Sequence, residues 1–290
     1  MFPPALFVDT NNSIYVVNKF KNQVLIWNDG QINPTEITEG NFSDSWSIFV
    51  TNSGDIFIEN SETNRRVDKW DKNTRTFINI MNVDSACWGL FVDMNDTLYC
   101  SMHDNHKVVK IWLNDSNTTS TIAAGTSTEG SASNELNGPS GIFVDVNFDL
   151  YVADSKNHRI QLFQFEQKTG TTIAGEGAPN TILLSSPSGI VLDIDKNIFI
   201  VDFENHRIVI GSGSNGFRCL VGCQGLGSQS NQLTGPFTLS FDKYGNMFVS
   251  DVYNHRIQKF DLLINICGKL MIIQQKIFHF LNLILYRTDH

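Results

Sequence analysis

At 290 residues, 41% of them hydrophobic, the chain is long enough to bury a sizeable core within one domain. A net charge of −9, with only 18% charged residues, gives it no global attraction to phosphate backbones and argues against nucleic acid as a partner. Five cysteines are too few for a disulfide scaffold at this length.

In chain order, a short apolar run ending in a turn residue recurs six times. The runs are Phe7-Val8-Asp9, Phe49-Val50-Thr51, Phe91-Val92-Asp93, Phe143-Val144-Asp145, Val191-Leu192-Asp193 and Ser240-Phe241-Asp242. Their third residues are 42, 42, 52, 48 and 49 positions apart, a mean of (242 − 9)/5, or about 47, which suits one four-stranded sheet per copy. A second landmark follows each run: Lys21-Asn22-Gln23-Val24, Asn64-Arg65-Arg66-Val67, Asn105-His106-Lys107-Val108, then Asn157-His158-Arg159-Ile160, Asn205-His206-Arg207-Ile208 and Asn254-His255-Arg256-Ile257. In the last three copies an Asp precedes it, at Asp154, Asp202 and Asp251.

Residues 139–175 show the content of one copy. Ile142–Val144, Leu150–Ala153, Arg159–Phe165 and Thr171–Ala174 are rich in Val, Ile, Phe and Tyr and are bounded by Asn, Asp, Gly and Ser, which predicts four short antiparallel strands. No window within 1–260 carries a clean 3.6-residue apolar period, so a helical solenoid is rejected. A four-stranded sheet cannot bury both faces alone, and a ring of such sheets can. The 21 Phe residues are expected to form much of the wedge between sheets. Asn28-Asp29-Gly30 reads as a hairpin turn.

The succession Gly-Ile-Phe-Val-Asp, Leu-Tyr-Val-Ala-Asp-Ser, Asn-His-Arg-Ile-Gln and Thr-Ile-Ala-Gly resembles the NHL repeat over residues 5–261. The resemblance implies an all-β fold: a six-bladed β-propeller of four-stranded antiparallel blades spanning 1–261, its last blade open to being incomplete. Residues 262–290 abandon the repeat and are apolar, and are expected to be a helix lying on the propeller or a segment foreign to the native gene. The best apolar stretch there, Ile277–Tyr286, is too short for a membrane span, so no transmembrane segment is expected.

Residues copied from unit to unit do the work of the repeat. Asp154, Asp202 and Asp251 are expected to accept amide hydrogens of the turn that follows, and His106, His158, His206 and His255 to bond turn backbone. Asn157, Asn205 and Asn254, with Arg159, Arg207 and Arg256, are expected to make turn or cross-blade contacts. His103 is singular, and one exposed His is no metal site. No nucleophile elbow, Cys/His pair or phosphate-cradling loop is visible, so no catalytic residue, cofactor or metal ligand is assigned.

Cys219 and Cys223 flank the Gly222 turn as a candidate disulfide, whereas Cys87 and Cys100 look offset in register and are left free. Sequons at Asn11, Asn41, Asn95, Asn114 and Asn117 are as many as chance yields, and no signal peptide is visible. The compartment stays open, with an extracellular one allowed if an upstream segment is missing. The preferred function is a non-catalytic platform for protein partners, with glycan as a further partner class. The alternatives are the metal-dependent lyase or hydrolase chemistry of NHL-like propellers and the RNA binding of some NHL domains. The loops Thr126–Asn137 and Gly222–Thr234 and the solvent-facing Trp27, Trp70 and Trp112 are candidate contacts, although the shared strand position of the three Trp argues for packing.

Overall fold

A computed structural model describes residues 3–37, 45–60, 64–71, 73–115, 119–212, 216–264 and 270–279; for 20, 36, 262–264 and 270–279 the description extends to the backbone alone. The described residues form six four-stranded antiparallel sheets, each made of consecutive strands. The innermost strands are Leu6–Val8, Ile48–Val50, Cys87–Val92, Pro139–Val144, Pro187–Leu192 and Pro236–Phe241, one for each of blades 1 to 6. Contacts between them run from each blade to the next and from blade 6 back to blade 1, so the sheets close into a six-bladed propeller.

Local chemistry sets each blade. In blades 1, 3, 4, 5 and 6 the turn after the inner strand is held by one Asp: Asp93 Oδ1, for example, accepts the N–H groups of Asn95 and Thr97 at 2.9 Å. Asp9, Asp145, Asp193 and Asp242 repeat the pattern, and in blade 2 Thr51 Oγ1 accepts the Asp55 N–H at 3.1 Å. Asn28-Asp29-Gly30 does turn the chain, but pairing resumes only at Thr35, opposite Ile26.

The core lies between blades. Val17, Val24 and Tyr15 of blade 1 pack with Ile48, Ile56, Ile58 and Trp70 of blade 2, and comparable clusters fill the other seams. Phe57, Phe163, Phe199 and Phe260 are among the largest fully buried side chains, so Phe does supply part of the wedge. The ring closes by packing: Leu6, Val8, Val16 and Leu25 of blade 1 meet Phe248 and Ile257 of blade 6. The Val8 N–H donates to Ser240 Oγ across that seam at 3.0 Å.

Two expectations change. The last blade has three strands described with their side chains, and the tail adds a fourth: Leu270–His279 pairs antiparallel with Arg256–Ile264, where a helix was one of the two readings of the tail. Its three Ile and one Phe suit a strand, which completes the hydrogen bonding of an otherwise unpaired edge. Residues 265–269 and 280–290 lie outside the described residues. Cys87 and Cys100 are joined in a buried disulfide; the register shift between Ser101 and Met102 brings their Cα atoms to 5.3 Å. Cys219 and Cys223 are also joined, with Cα atoms 5.7 Å apart.

Neighbouring inner strands run so close that some positions tolerate no side chain. A Cβ on Gly141 would lie 2.6 Å from the Ser188 carbonyl oxygen and 2.7 Å from the Gly189 Cα. Gly141→Ala is therefore expected to destabilise the ring by about 1–3 kcal/mol, read as a lower urea midpoint. An unchanged midpoint would show that the blades can move apart freely.

Candidate functional site

The ring has two faces. One carries the Asp-held turns just described; the other carries the Asn-His-Arg turns and the long connections between blades. On the second face each element of the repeated motif has a definite partner. Asp154 is fully buried and accepts from the Asn137 N–H at 2.7 Å, Asn157 Nδ2 at 2.8 Å and Arg159 Nε at 2.7 Å. Asp202 and Asp251 repeat this with Ser185, Asn205 and Arg207, and with Thr234, Asn254 and Arg256. The backbone amide thus lies 17 residues upstream, in the lead-in to the same blade, and not in the following turn, because antiparallel pairing sets Asp154 opposite Pro139. Desolvation raises the Asp154 carboxyl above its ordinary 3.8, outweighing the Asn137, Asn157 and Arg159 contacts that pull it down.

The histidines link blades. His106, His158 and His206 each sit in the left-handed region, φ 49°, 52° and 56°. Their Nδ1 atoms accept the N–H groups of Gly138, Ser186 and Gly235 in the next blade at 3.0–3.1 Å, so the ring proton is assigned to Nε2. His255 shares the left-handed backbone, at φ 56°.

The arginines hold the long loops. Arg159 Nη1 donates to the Ser131 carbonyl at 2.7 Å, and Nη2 to those of Ala132 and Glu135 at 3.1 Å. Arg256 grips Ser228, Gln229 and Gln232 in the same way, at 2.7–3.0 Å. Arg207, facing a shorter connection, reaches only the Leu183 carbonyl. The two candidate contact loops, Thr126–Asn137 and Gly222–Thr234, are therefore fixed to the rim.

At the centre of this face lies a group that sequence reading missed. Val8, Val50, Val92, Val144, Leu192 and Phe241 are equivalent, pairing with Ile14, Ile56, Leu98, Leu150, Ile198 and Met247 at the start of the second strand. Four residues before them stand Pro4, Trp46, Trp88, Ser140, Ser188 and Phe237. Trp46 and Trp88 stack at 4.7 Å, and Phe237 meets both, at 5.6 and 5.8 Å. Blades 3 and 6 are opposite in the ring, so the Trp88–Phe237 contact crosses the channel axis and roofs it. Lys19 Nζ lies 3.6 Å from the Trp46 centroid, and the His103 ring stacks on Trp88 at 3.8 Å. Phe203 and Tyr253 extend the aromatic group outward from Phe237, and Tyr253 is 52% exposed. The signal was available: among six aligned copies, this position departs from any common residue.

His103, expected to be exposed, is buried, because it is one layer of that stack. Trp70 is buried against Phe77, and Trp27 packs in the seam between blades 1 and 6; only Trp112, 56% exposed, faces solvent. Among the described residues no three His, Cys, Asp or Glu side chains are placed to share a metal ion.

Burial pushes the His103 pKa below the ordinary 6.5, while Asp104, 2.8 Å from Nδ1, pulls the other way. The unfolded chain therefore protonates first as the pH falls. The stability contributed by neutral His103 is complete above the unfolded pKa and is lost as the pH falls through the folded one. His103→Phe keeps a ring on Trp88 without titrating, so its Tm is expected to fall less than that of the wild type from about pH 7.5 to about pH 5. Parallel pH curves would contradict this. Asp251→Ala leaves Arg256 buried without its carboxylate and is expected to cost about 3–5 kcal/mol in chemical denaturation.

The family model for the NHL repeat matches residues 136–163, so the chain carries an NHL repeat within its six-bladed β-propeller. No curated protein matches the chain. Among solved structures, a Bacteroides thetaiotaomicron protein of unknown function is 16% identical with a TM-score of 0.73, the match covering 89% of this chain and 68% of that one. An auxiliary nutrient binding protein of the same organism is 16% identical with a TM-score of 0.70, over the same shares. Virginiamycin B lyase from Staphylococcus aureus is 12% identical with a TM-score of 0.63, the match covering 94% and 84%. At these identities the likeness is one of fold.

Proposed function

We propose that this propeller is a non-catalytic binding platform that takes a protein partner on its roofed face. The observation that carries the reading is the aromatic group of Trp46, Trp88, Phe203, Phe237 and Tyr253, placed where the copies diverge and framed by loops that Arg159 and Arg256 hold still. Partly exposed aromatic residues are the side chains that most often anchor protein interfaces. Loops already fixed lose little conformational freedom on binding. Two disulfides fit a compartment that keeps thiols oxidised. The lyase alternative finds no convergent donor set among the described residues, and stoichiometric zinc in the purified protein would revive it. The RNA alternative has the net charge of −9 against it.

Affinity capture followed by titration of the identified partner tests the proposal. Tyr253→Ala and Trp88→Ala are each expected to weaken binding by about 2 kcal/mol, roughly 30-fold. Ile194→Ser, on the opposite face, is expected to leave it unchanged. Binding that survives both aromatic substitutions and shortening of both long loops would overturn the assignment.

A further inference from the structure

Beneath the roof the channel holds a cavity of about 330 Å³, within the size range of small-molecule sites. A second cavity of about 490 Å³ opens toward the face of Asp-held turns, and Phe7, Phe49 and Phe91 wall both. These rings form a pinwheel: Phe7–Phe49, Phe49–Phe91 and Phe91–Phe143 centroids lie 4.9, 5.0 and 5.1 Å apart, each pair tilted by 54–59°. The pinwheel covers blades 1 to 4 only. The inner strands of all six blades line the cavity, and blades 5 and 6 place the smaller Val191 and Ser240 at the equivalent position, where the wall is open to a ligand.

Among the described residues no charged side chain lines the inner cavity. An ion buried there would lose its hydration without a countercharge, so the lining selects a neutral molecule. The polar groups on the open side are hydroxyls. Ser240 Oγ accepts the Val8 N–H and donates to no described group, and Thr238 Oγ1, two residues away on the same side of the strand, has no described partner. A hydroxyl beside an apolar cavity offers a donor to an oxygen brought in by a ligand.

We propose that the channel binds a small neutral molecule with an apolar body and one acceptor oxygen, such as an aliphatic ketone. Its body lies against Phe49, Phe91, Phe143 and Val191, and its oxygen accepts from Thr238 or Ser240. It enters from the face of Asp-held turns, because Trp46, Trp88 and Phe237 close the other end. The cavity shares Trp46, Trp88 and Phe237 with the protein-binding face, but the ligand's contacts, Phe49, Phe91, Phe143, Val191, Thr238 and Ser240, lie beneath it, so either assignment can fail alone.

The test uses the full chain with the fluorescent probe N-phenyl-1-naphthylamine, displaced by 2-nonanone. The wild type is expected to bind one probe and release it to the ketone. Val191→Phe fills the open side of the pinwheel and is expected to weaken probe and ketone by tenfold or more. Thr238→Val keeps the volume and removes the hydroxyl: probe affinity is expected to hold while ketone affinity drops about tenfold, the loss of one hydrogen bond. Thr238→Val and Ser240→Ala, compared together, decide the matter even if Val191→Phe fails to fold. Absence of probe binding in the wild type, or unchanged binding in a folded Val191→Phe protein, would overturn the site. Unchanged ketone affinity in both Thr238→Val and Ser240→Ala would overturn the role of the acceptor oxygen.

Discussion

Everything in this molecule rests on how closely the six inner strands approach one another. Gly89, Gly141 and Gly189 leave room for the backbone of the next blade, and serines bond across the same gaps. Ser47 Oγ donates to the Cys87 carbonyl at 2.7 Å, Ser140 Oγ to Ser188 at 2.9 Å and Ser188 Oγ to Phe237 at 2.8 Å, and Ser101 Oγ donates to the Ser140 carbonyl. Each of these hydroxyls satisfies a carbonyl that sheet pairing leaves over, so the hub is polar in its joints and apolar in its walls. Among the described residues no strand is shared between the first and last blades. The seam between them depends on the same apolar packing as the other five, supplemented by the Val8–Ser240 bond.

The Asp-Asn-His-Arg motif solves a second problem, the wiring of connections that have no regular structure. A loop at the rim must satisfy its own carbonyl and amide groups. Arg159 and Arg256 gather three loop carbonyls each, Asp154 and Asp251 take a lead-in amide, and the histidines take an amide from the blade beyond. The buried guanidinium is itself balanced by the buried carboxylate. Such a pair adds little net stability by itself, but losing one member would be costly, and it specifies a single arrangement of the loop.

A frame repeated six times leaves function to the positions that do not repeat. The two ends of the channel differ for this reason. At one end Trp46, Trp88 and Phe237 meet across the axis; at the other the Phe pinwheel stops at blade 4, and blades 5 and 6 carry the smaller Val191 and Ser240. Six equal copies would have placed the same residue at each point and produced neither a roof nor an unequal wall.

The number of blades and the antiparallel strands within them were legible in the sequence, because each depends on neighbours within about one repeat and recurs in register. What the tertiary structure decided involves residues far apart in the chain. Trp88 and Phe237 are 149 positions apart (237 − 88) and meet only because the ring brings opposite blades to one axis. The burial of His103 follows from that stack, and the Cys87–Cys100 bond from a register shift that strand propensities do not encode. Residues 270–279 became a strand because an open sheet edge awaited them, a demand set by the third strand of the last blade and absent from their own repeat-free sequence.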